Sequence, residues 1–476
     1  MPAYAYFWGC YVPGRLPHVE KSSRAVLAHL GVDAVDVGGL TCCPEKTMIR
    51  NLSYRDWILT AARNLTIAEE AGRSFLTPCT GCFSTLKEAH VKLHSDPALR
   101  DDVNRELARI GRRYRGTADV VHLLDVLYQD IGAGGLRNRI RYPMSGLRIA
   151  VHYGCHLLRP SGQLLFDDPF WPRKLDELVE ALGAESVAYS SRMECCGNLL
   201  LRAGDTATSQ SMCRSKLRDM IHAGADALTV VCPSCMMQYD NMQSLLQRHG
   251  EDLNLPVLYY PELLGLALGM EPEELGLGRH RVDVGPFLAR WRARREAFDL
   301  TQRHWDMPLL RACAECGACV DDCPVARADP TYDPNALIRQ LAAGDVEAVL
   351  RSPDLWRCLE CYTCAELCPN KYDQMTILRQ AKHLAVRAGL APESAREGMR
   401  AFRETGQLTQ ASVSQRRRLG LPPTPKVGAD ELRALLGDRE PDEEAGRDEV
   451  GDGRRQAAYA DASAPEAPAQ REDRDE

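Results

Sequence analysis

Six short runs of apolar and β-branched residues punctuate the first 260 positions, each running towards one or two cysteines. Ala3-Tyr-Ala-Tyr-Phe-Trp leads to Cys10, Val32-Asp-Ala-Val-Asp-Val towards Cys42-Cys43, and Arg73-Ser-Phe-Leu to Cys79-Thr-Gly-Cys82. The succession then recurs, with Leu147-Arg-Ile-Ala-Val-His-Tyr before Cys155, Glu185-Ser-Val-Ala-Tyr before Cys195-Cys196, and Ala227-Leu-Thr-Val-Val before Cys232-Pro-Ser-Cys235. Runs of this length and composition predict strands whose carboxyl ends deliver thiols. Between them lie helical patterns such as Ser22–His29 and Tyr54–Ala71. Strands alternating with helices predict parallel α/β units, where ligands gather beyond the carboxyl ends of the strands.

The spacing points to a duplication. Cys195, Cys232 and Cys235 each lie 153 positions after Cys42, Cys79 and Cys82, and Cys155 lies 145 after Cys10. Two pseudo-repeated α/β domains are therefore expected, over 1–140 and 141–288. The Arg-rich stretch Asp101–Tyr142 reads as a linker. Its Gly132-Ala-Gly-Gly135 lacks the spacing of a phosphate loop, and no β-rich run precedes it. From about Arg290 the pattern turns helical and dense in cysteine. Ala336-Leu-Ile-Arg-Gln-Leu and Val346-Glu-Ala-Val-Leu separate two cysteine boxes and Met375–Ala388 closes the region, predicting a small α-helical domain over 289–400. Beyond Leu421, Pro, Ala, Asp, Glu and Arg dominate. A tail over 422–476 that buries so little apolar surface is expected to be disordered.

Composition then narrows the function. The 476 residues carry 59 basic and 66 acidic side chains. Seven Arg against sixteen acidic residues after Ala429 leave the rest near neutral, with 52 basic against 50 acidic residues. A near-neutral body argues against a nucleic-acid binder, which needs a basic face. No apolar run reaches the roughly 18–20 residues of a membrane span, and the first residues lack a signal-peptide pattern. A cytoplasmic setting is expected. Nineteen cysteines in a chain of this size then point to metal or redox chemistry rather than structural disulfides.

The most specific signal is C-x2-C-x2-C-x3-C-P, present twice: Cys313, Cys316, Cys319 and Cys323-Pro324, then Cys358, Cys361, Cys364 and Cys368-Pro369. In this run three thiols wrap one iron–sulfur cube and the fourth ligates its neighbour. One [4Fe–4S] cluster is thus expected on Cys313, Cys316, Cys319 and Cys368, and a second on Cys358, Cys361, Cys364 and Cys323. Zinc ordinarily takes two well-separated pairs instead. In the first part, Cys10, Cys42, Cys43, Cys79 and Cys82 form one five-thiol set; Cys155, Cys195, Cys196, Cys232 and Cys235 form the other. Five thiols are one too many for a tetrahedral ion or a simple cubane, and thiolates at this density select soft metals and clusters. Buried thiols, disulfides, or a redox dithiol at Cys79 and Cys82 are the alternatives.

These motifs resemble a known family. Phe7-Trp-Gly-Cys10, Cys42-Cys43-Pro44-Glu45, Cys79-Thr-Gly-Cys82-Phe-Ser-Thr-Leu-Lys-Glu-Ala89, His152-Tyr-Gly-Cys155-His-Leu-Leu-Arg-Pro-Ser161, Glu194-Cys-Cys-Gly197 and Cys232-Pro-Ser-Cys235 resemble the B-type subunit of heterodisulfide reductase, with two complete CCG domains. Pro261-Glu-Leu-Leu-Gly-Leu-Ala-Leu-Gly269 is similar to that subunit's carboxy-terminal helix. Residues from about Arg311 to Ala391 resemble the enzyme's ferredoxin-like C-type subunit. The resemblance implies that each five-cysteine set holds a noncubane [4Fe–4S] cluster, and that a disulfide is cleaved, or formed, between the two. It also implies electrons entering through the two ferredoxin-type clusters from an A-like flavin- or iron–sulfur-containing subunit of a hetero-oligomer. The substrate class would be a small-molecule or carrier-bound disulfide. A different reading makes the chain an electron-relay subunit of a sulfur-oxidising or quinone-linked complex, without a disulfide substrate of its own.

Several neighbours of the thiols invite roles. His152 and His156 flank Cys155 and have the chemistry to donate protons to a departing thiolate, but packing or hydrogen bonding to cluster sulfur is the favoured expectation. Arg159 suits an anionic group or a surface ion pair. Cys213 lies outside both sets and reads as a packed thiol. Gly197 is expected to permit positive φ or a close backbone approach. Trp8, Tyr11 and Tyr153 are expected to exclude water.

Overall fold

The computed structural model describes residues 2–370, 372–409, 411–424 and 427–437. Two compact units divide within the helix Gly285–His304, one ending at Arg295 and the other starting at Glu296. The first unit holds both α/β copies.

Each copy is a four-stranded, all-parallel sheet. Strands β1 (Tyr4–Tyr6), β2 (Ala34–Val35), β3 (Ser74–Thr77) and β4 (Val120–His122) lie in the order β2-β1-β3-β4. Strands β5 (Arg148–His152), β6 (Glu185–Val187), β7 (Ala227–Val230) and β8 (Val257–Tyr259) lie in the order β6-β5-β7-β8. The register is duplicated with the order. Ala5 sits between Val35 and Phe75, and its counterpart Ala150 sits between Val187 and Leu228. Phe75 pairs with Val120 as Leu228 pairs with Val257. Parallel strands are buried on both faces, which accounts for their continuous apolar runs.

The stretch expected to be a linker is instead structured. It contains the helix Pro97–Ala108, the edge strand β4, and the helix Gly132–Arg137 that absorbs the glycine cluster. Strand β4 escaped the sequence pattern because it is three residues long and no cysteine follows it; β8 escaped for the same reason. The edge is held by parallel pairing to β3 and by Glu69, whose buried carboxylate accepts the backbone amides of Arg115, Gly116 and Thr117 at 2.6–3.0 Å.

Helix Tyr54–Glu70 illustrates how the layers form. Ser53 caps it by accepting the Asp56 amide at 3.2 Å. Trp57, Ile58, Ala61, Ala62, Leu65 and Ala68 recur at helical spacing and are all buried against the first sheet's core.

The second unit is helical. Trp305, Leu310, Leu337, Ile338, Leu341, Val349, Ile377, Leu378 and Ala381 form its core. The predicted helices are present as Pro334–Ala342, Val346–Arg351 and Gln374–Arg387. The disorder expected from residue 422 does not begin there. Ala429–Leu436 is a helix, rich in strong helix formers, and Val427 and Leu432 lie against Gly406. Residues 425–426 and 438–476 of that expected tail lie outside the described residues. Among the described residues, no helix is long and apolar enough to cross a membrane.

The interior position of Ala150 generates a prediction. It is fully buried in a central strand, so Ala150→Leu adds methylene groups to a filled layer. The expected cost is ~1–3 kcal/mol, read as a lower urea midpoint under anaerobic conditions; an unchanged midpoint would show slack in the layer.

Candidate functional site

In an open parallel sheet, ligands sit where neighbouring connections leave in opposite directions, at the carboxyl ends of the strands. Here that point lies between β1 and β3, and between β5 and β7. Cys10 follows β1 and Cys79 follows β3; Cys155 follows β5 and Cys232 follows β7. The vicinal pairs arrive on the loops after β2 and β6.

The two copies meet near these ends. The Tyr259 hydroxyl at the end of β8 donates to the Pro78 carbonyl just past β3. At the end of β4 the buried His122 ring lies edge-on to Phe166 of the second copy, with centroids 6.4 Å apart, and burial pushes its imidazole pKa down to about 4. In consequence all ten thiols line one cleft of about 730 Å³, partly open to solvent.

Within the cleft each quintet forms the same chain of sulfur contacts. The first runs Cys10, Cys42, Cys43, Cys82, Cys79, starting with Sγ atoms 3.7 Å apart. The second runs Cys155, Cys195, Cys196, Cys235, Cys232, with 3.5 Å between Cys196 and Cys235. None of the nineteen cysteines is in a disulfide. Burial, then the neighbouring Cys42, pushes Cys10 up to about 11. Contact with Cys43 and Cys79, together with burial, drives Cys82 far up, and contact with Cys196 and Cys232 does the same to Cys235. Thiolates packed this closely cannot all ionise without a counter-charge. The donor set therefore fits a cationic metal–sulfur core, which soft thiolates select.

Glycine makes room for these contacts. Gly9 and Gly154 precede Cys10 and Cys155 with φ of +67° and +76°. A Cβ on Gly9 would lie 2.6 Å from the Cys82 sulfur, and one on Gly154 would lie 3.4 Å from the Cys232 Cβ. Gly197, after the second vicinal pair, has the expected positive φ of 81°, with Ser209 and Met212 pressed against it.

The second unit brings its eight thiols around two hollows. Cys313, Cys316, Cys319 and Cys368 line one of about 400 Å³, and Cys323, Cys358, Cys361 and Cys364 line the other of about 420 Å³. Cys319 and Cys364 border both. Pro324 opens the helix Pro324–Ala328 with Cys323 as its N-cap, which carries the fourth thiol away from its own loop. Burial pushes Cys313 and Cys364 up to about 12, with neighbouring thiols adding to the effect.

Comparison with known proteins agrees with this arrangement. The CCG family, described as a cysteine-rich domain, matches residues 4–87 and 149–240, and the 4Fe-4S dicluster domain matches 309–372. The chain is 40% identical over 292 residues to the B-type subunit of the ferredoxin/F(420)H(2)-dependent CoB-CoM heterodisulfide reductase of Methanosarcina acetivorans, covering 61% of this chain and 97% of that protein. Its later part is 30% identical over 127 residues to a protein of Archaeoglobus profundus described as like the C-type subunit of heterodisulfide reductase, covering 26% of this chain and 68% of that one. The chain belongs to the heterodisulfide reductase family. A third relative, the "8-methylmenaquinol:fumarate reductase membrane anchor subunit" of Wolinella succinogenes, is 32% identical over 291 residues, covering 59% of this chain and 97% of its own.

This heterodisulfide reductase-like iron–sulfur protein thus joins a B-like part to a C-like part, and its family and domain matches support [4Fe–4S] clusters. Its B-like part braces the thiol loops with buried polar groups that the sequence did not single out. Asn64 donates to the Cys42 carbonyl at 3.0 Å and accepts the Thr41 amide at 3.1 Å. Lys46 reaches Ser84 and Glu88, tying the first vicinal pair to the helix Thr80–Ser95 that carries Cys82. In the second copy Lys216, fully buried, donates to the carbonyls of Arg192 and Glu194 at 3.0 and 2.7 Å, just ahead of Cys195. Each reads in sequence as an ordinary polar position on a helix or loop; only burial reveals its work.

His156 lines the cleft half-buried, with its pKa lowered by burial and then by Lys46. His152 lies with one ring nitrogen within 4.8 Å of the Cys196 and Cys235 sulfurs and stacks edge-on to Tyr239 at 5.3 Å. Burial holds its pKa well below the ordinary imidazole range. Tyr11 lines the cleft and accepts from Arg202 at 2.7 Å, a bridge between the two copies that Glu45 shares at 3.4 Å. Trp8 stacks on Tyr6 and donates to Asp36, while Tyr153 donates to the buried Asp176. Arg159 bonds to the Pro169 carbonyl and covers Phe170, and it does not line the cleft. Cys213 is buried, faces the Gln238 carbonyl, and is pushed up to about 12 by burial, as a packed thiol should be.

Gly9→Ala tests the close approach. The side chain must displace Cys82 and adopt an unfavourable φ, at a cost of ~1 kcal/mol or more. The expected readout is reduced iron per chain, with a smaller loss in Gly154→Ala; full iron content in Gly9→Ala would contradict the geometry.

Proposed function

We propose that this chain is the iron–sulfur catalytic and electron-transfer subunit of a heterodisulfide reductase-like complex, reducing or forming a thiol disulfide. The observation that carries this reading is the pair of matching five-thiol chains lining one cleft. Cys10, Cys42, Cys43, Cys79 and Cys82 would hold one noncubane [4Fe–4S] cluster. Cys155, Cys195, Cys196, Cys232 and Cys235 would hold the other. In the second unit, Cys313, Cys316, Cys319 and Cys368 would hold one ferredoxin-type cluster, and Cys358, Cys361, Cys364 and Cys323 its neighbour. When bound, the cleft clusters supply the two electrons that open a disulfide and the iron sites that hold its sulfurs. Two protons complete the conversion of one disulfide into two thiols.

The chain's own groups set the conditions. Backbone amides of Cys82 and Gly197 point at the sulfurs of Cys79 and Cys195 at 3.4 Å, and the Tyr372 amide points at Cys368 at 3.2 Å. Such contacts on cluster sulfur raise reduction potential, and ~30 mV in a two-electron couple is worth ~1.4 kcal/mol. Arg202 is the cationic side chain at the cleft, held by Tyr11 and Glu45 from the opposite copy. His156, whose pKa burial lowers, offers a ring nitrogen beside the thiols for a substrate proton. Electrons would enter from an A-like flavin or iron–sulfur partner in a cytoplasmic hetero-oligomer.

One observation favours a second reading. The Wolinella relative bears a quinol-linked name and matches the same region over nearly its full length, so a relay protein of a quinone-linked or sulfur-oxidising complex would use the same frame without a disulfide of its own.

Anaerobic electron paramagnetic resonance during titration with disulfides separates the two. Disulfide reduction predicts a new signal from the cleft clusters on adding an oxidising disulfide, abolished in Cys195→Ser while ferredoxin-type signals persist. No disulfide-dependent signal in the wild-type protein would favour the relay, and an unchanged signal in Cys195→Ser would refute the ligand assignment.

A further inference from the structure

A second convergence of donors lies in the first unit, where the helix Pro17–His29 meets the helix Tyr260–Leu268 and the turn after Leu277–Arg279. His18, Glu262 and His280 each bring one donor atom there, and the three atoms lie within 4.8 Å of one another. None of the three residues lines the thiol cleft. His18 is 5% exposed, and neither of its ring nitrogens has a hydrogen-bond partner. Leaving a buried polar group unpaired costs ~1–3 kcal/mol. Glu262 is fully buried, with one carboxylate oxygen accepting the Tyr259 amide at 2.7 Å and the other facing His280 Nε2 at 3.1 Å.

The surrounding residues hold this geometry rather than complete it. Gly276, at φ +78°, brings the chain so close that a Cβ there would lie 3.0 Å from the His18 Cβ. Asp240 accepts the amides of Arg281 and Val282 at 2.9–3.0 Å, fixing the residues that follow His280. Lys21, a nearby cation on the same helix as His18, is spent on the Glu273 carbonyl at 2.5 Å.

We propose that His18, Glu262 and His280 bind one zinc ion. Two imidazoles and a carboxylate are a three-ligand set of the kind zinc accepts, with bonds of about 2.0–2.2 Å. Two ligands on a tetrahedral ion with such bonds lie about 3.3 Å apart, close to the 3.1 Å between His280 and Glu262. Imidazole donors disfavour magnesium and calcium. Burial lowers the His18 pKa; Glu262 pulls the other way and His280 adds to the lowering. Burial also opposes charge on His280, but Glu262 outweighs it and raises that pKa. One divalent cation would satisfy the carboxylate and both rings at once. It would clasp the first long helix of the unit to its last buried one, independently of what the thiol cleft does.

Zinc K-edge X-ray absorption on the full-length, cluster-loaded protein, after equilibration with buffered zinc and removal of excess, tests this directly. The expected result is about one zinc per chain, with nitrogen and oxygen neighbours at ~2.0–2.1 Å. The double variant His18→Ala/His280→Ala should lose that zinc while iron and sulfide stay constant. Absence of zinc from the wild-type protein, a shell of sulfur at ~2.3 Å, or zinc retained by the folded double variant would each overturn the proposal. Because the wild-type spectrum alone distinguishes nitrogen from sulfur, the test stands even if the double variant does not fold.

Discussion

The site depends on one constraint: two parallel sheets must meet with the carboxyl ends of their strands towards each other. A single sheet of this topology would present five thiols on its own loops. The Tyr259 hydroxyl on the Pro78 carbonyl and the His122 ring against Phe166 place two such ends together. Tyr259 and His122 end equivalent edge strands and each packs against the opposite copy. The edge strands β4 and β8 carry no thiol. Their part is to bring the copies together, and the shared cleft follows from it.

The symmetry is of the thiol frame and not of its surroundings. Phe7 stands in the first copy where His152 stands in the second, so among the described residues an imidazole lies with two of the sulfurs in the second quintet. The first vicinal pair is braced by Asn64 and by the Lys46–Glu88 ion pair, the second by Lys216. A charged brace beside one set and another arrangement beside the other give the two sites different electrostatic environments. Cluster potential responds to such charge and hydrogen bonding, which gives a pair of like-built sites a physical basis for unlike roles.

Much of this was legible in the sequence because the chemistry repeats. Equal spacing of Cys42, Cys79 and Cys82 with their counterparts exposed the duplication, and the apolar runs before them located six of the eight strands. The doubled C-x2-C-x2-C-x3-C-P run indicated the helical unit in the same way. What lacked a periodic marker was lost. Strand β4 was hidden in an Arg-rich stretch, and its three residues carry too little pattern to separate from a loop. Asn64 and Lys216 sit among polar helix positions, and their burial is a property of tertiary packing alone. His18, Glu262 and His280 are far apart in the sequence and form no motif until two helices are brought together.

The central claim is that both quintets grip metal–sulfur cores inside one cleft. Iron-edge anomalous diffraction from crystals grown without oxygen measures this most directly. The account predicts iron density beside Cys42-Cys43 and beside Cys195-Cys196, facing the same cavity. Density beside one pair only, or confined to the helical unit, would contradict it.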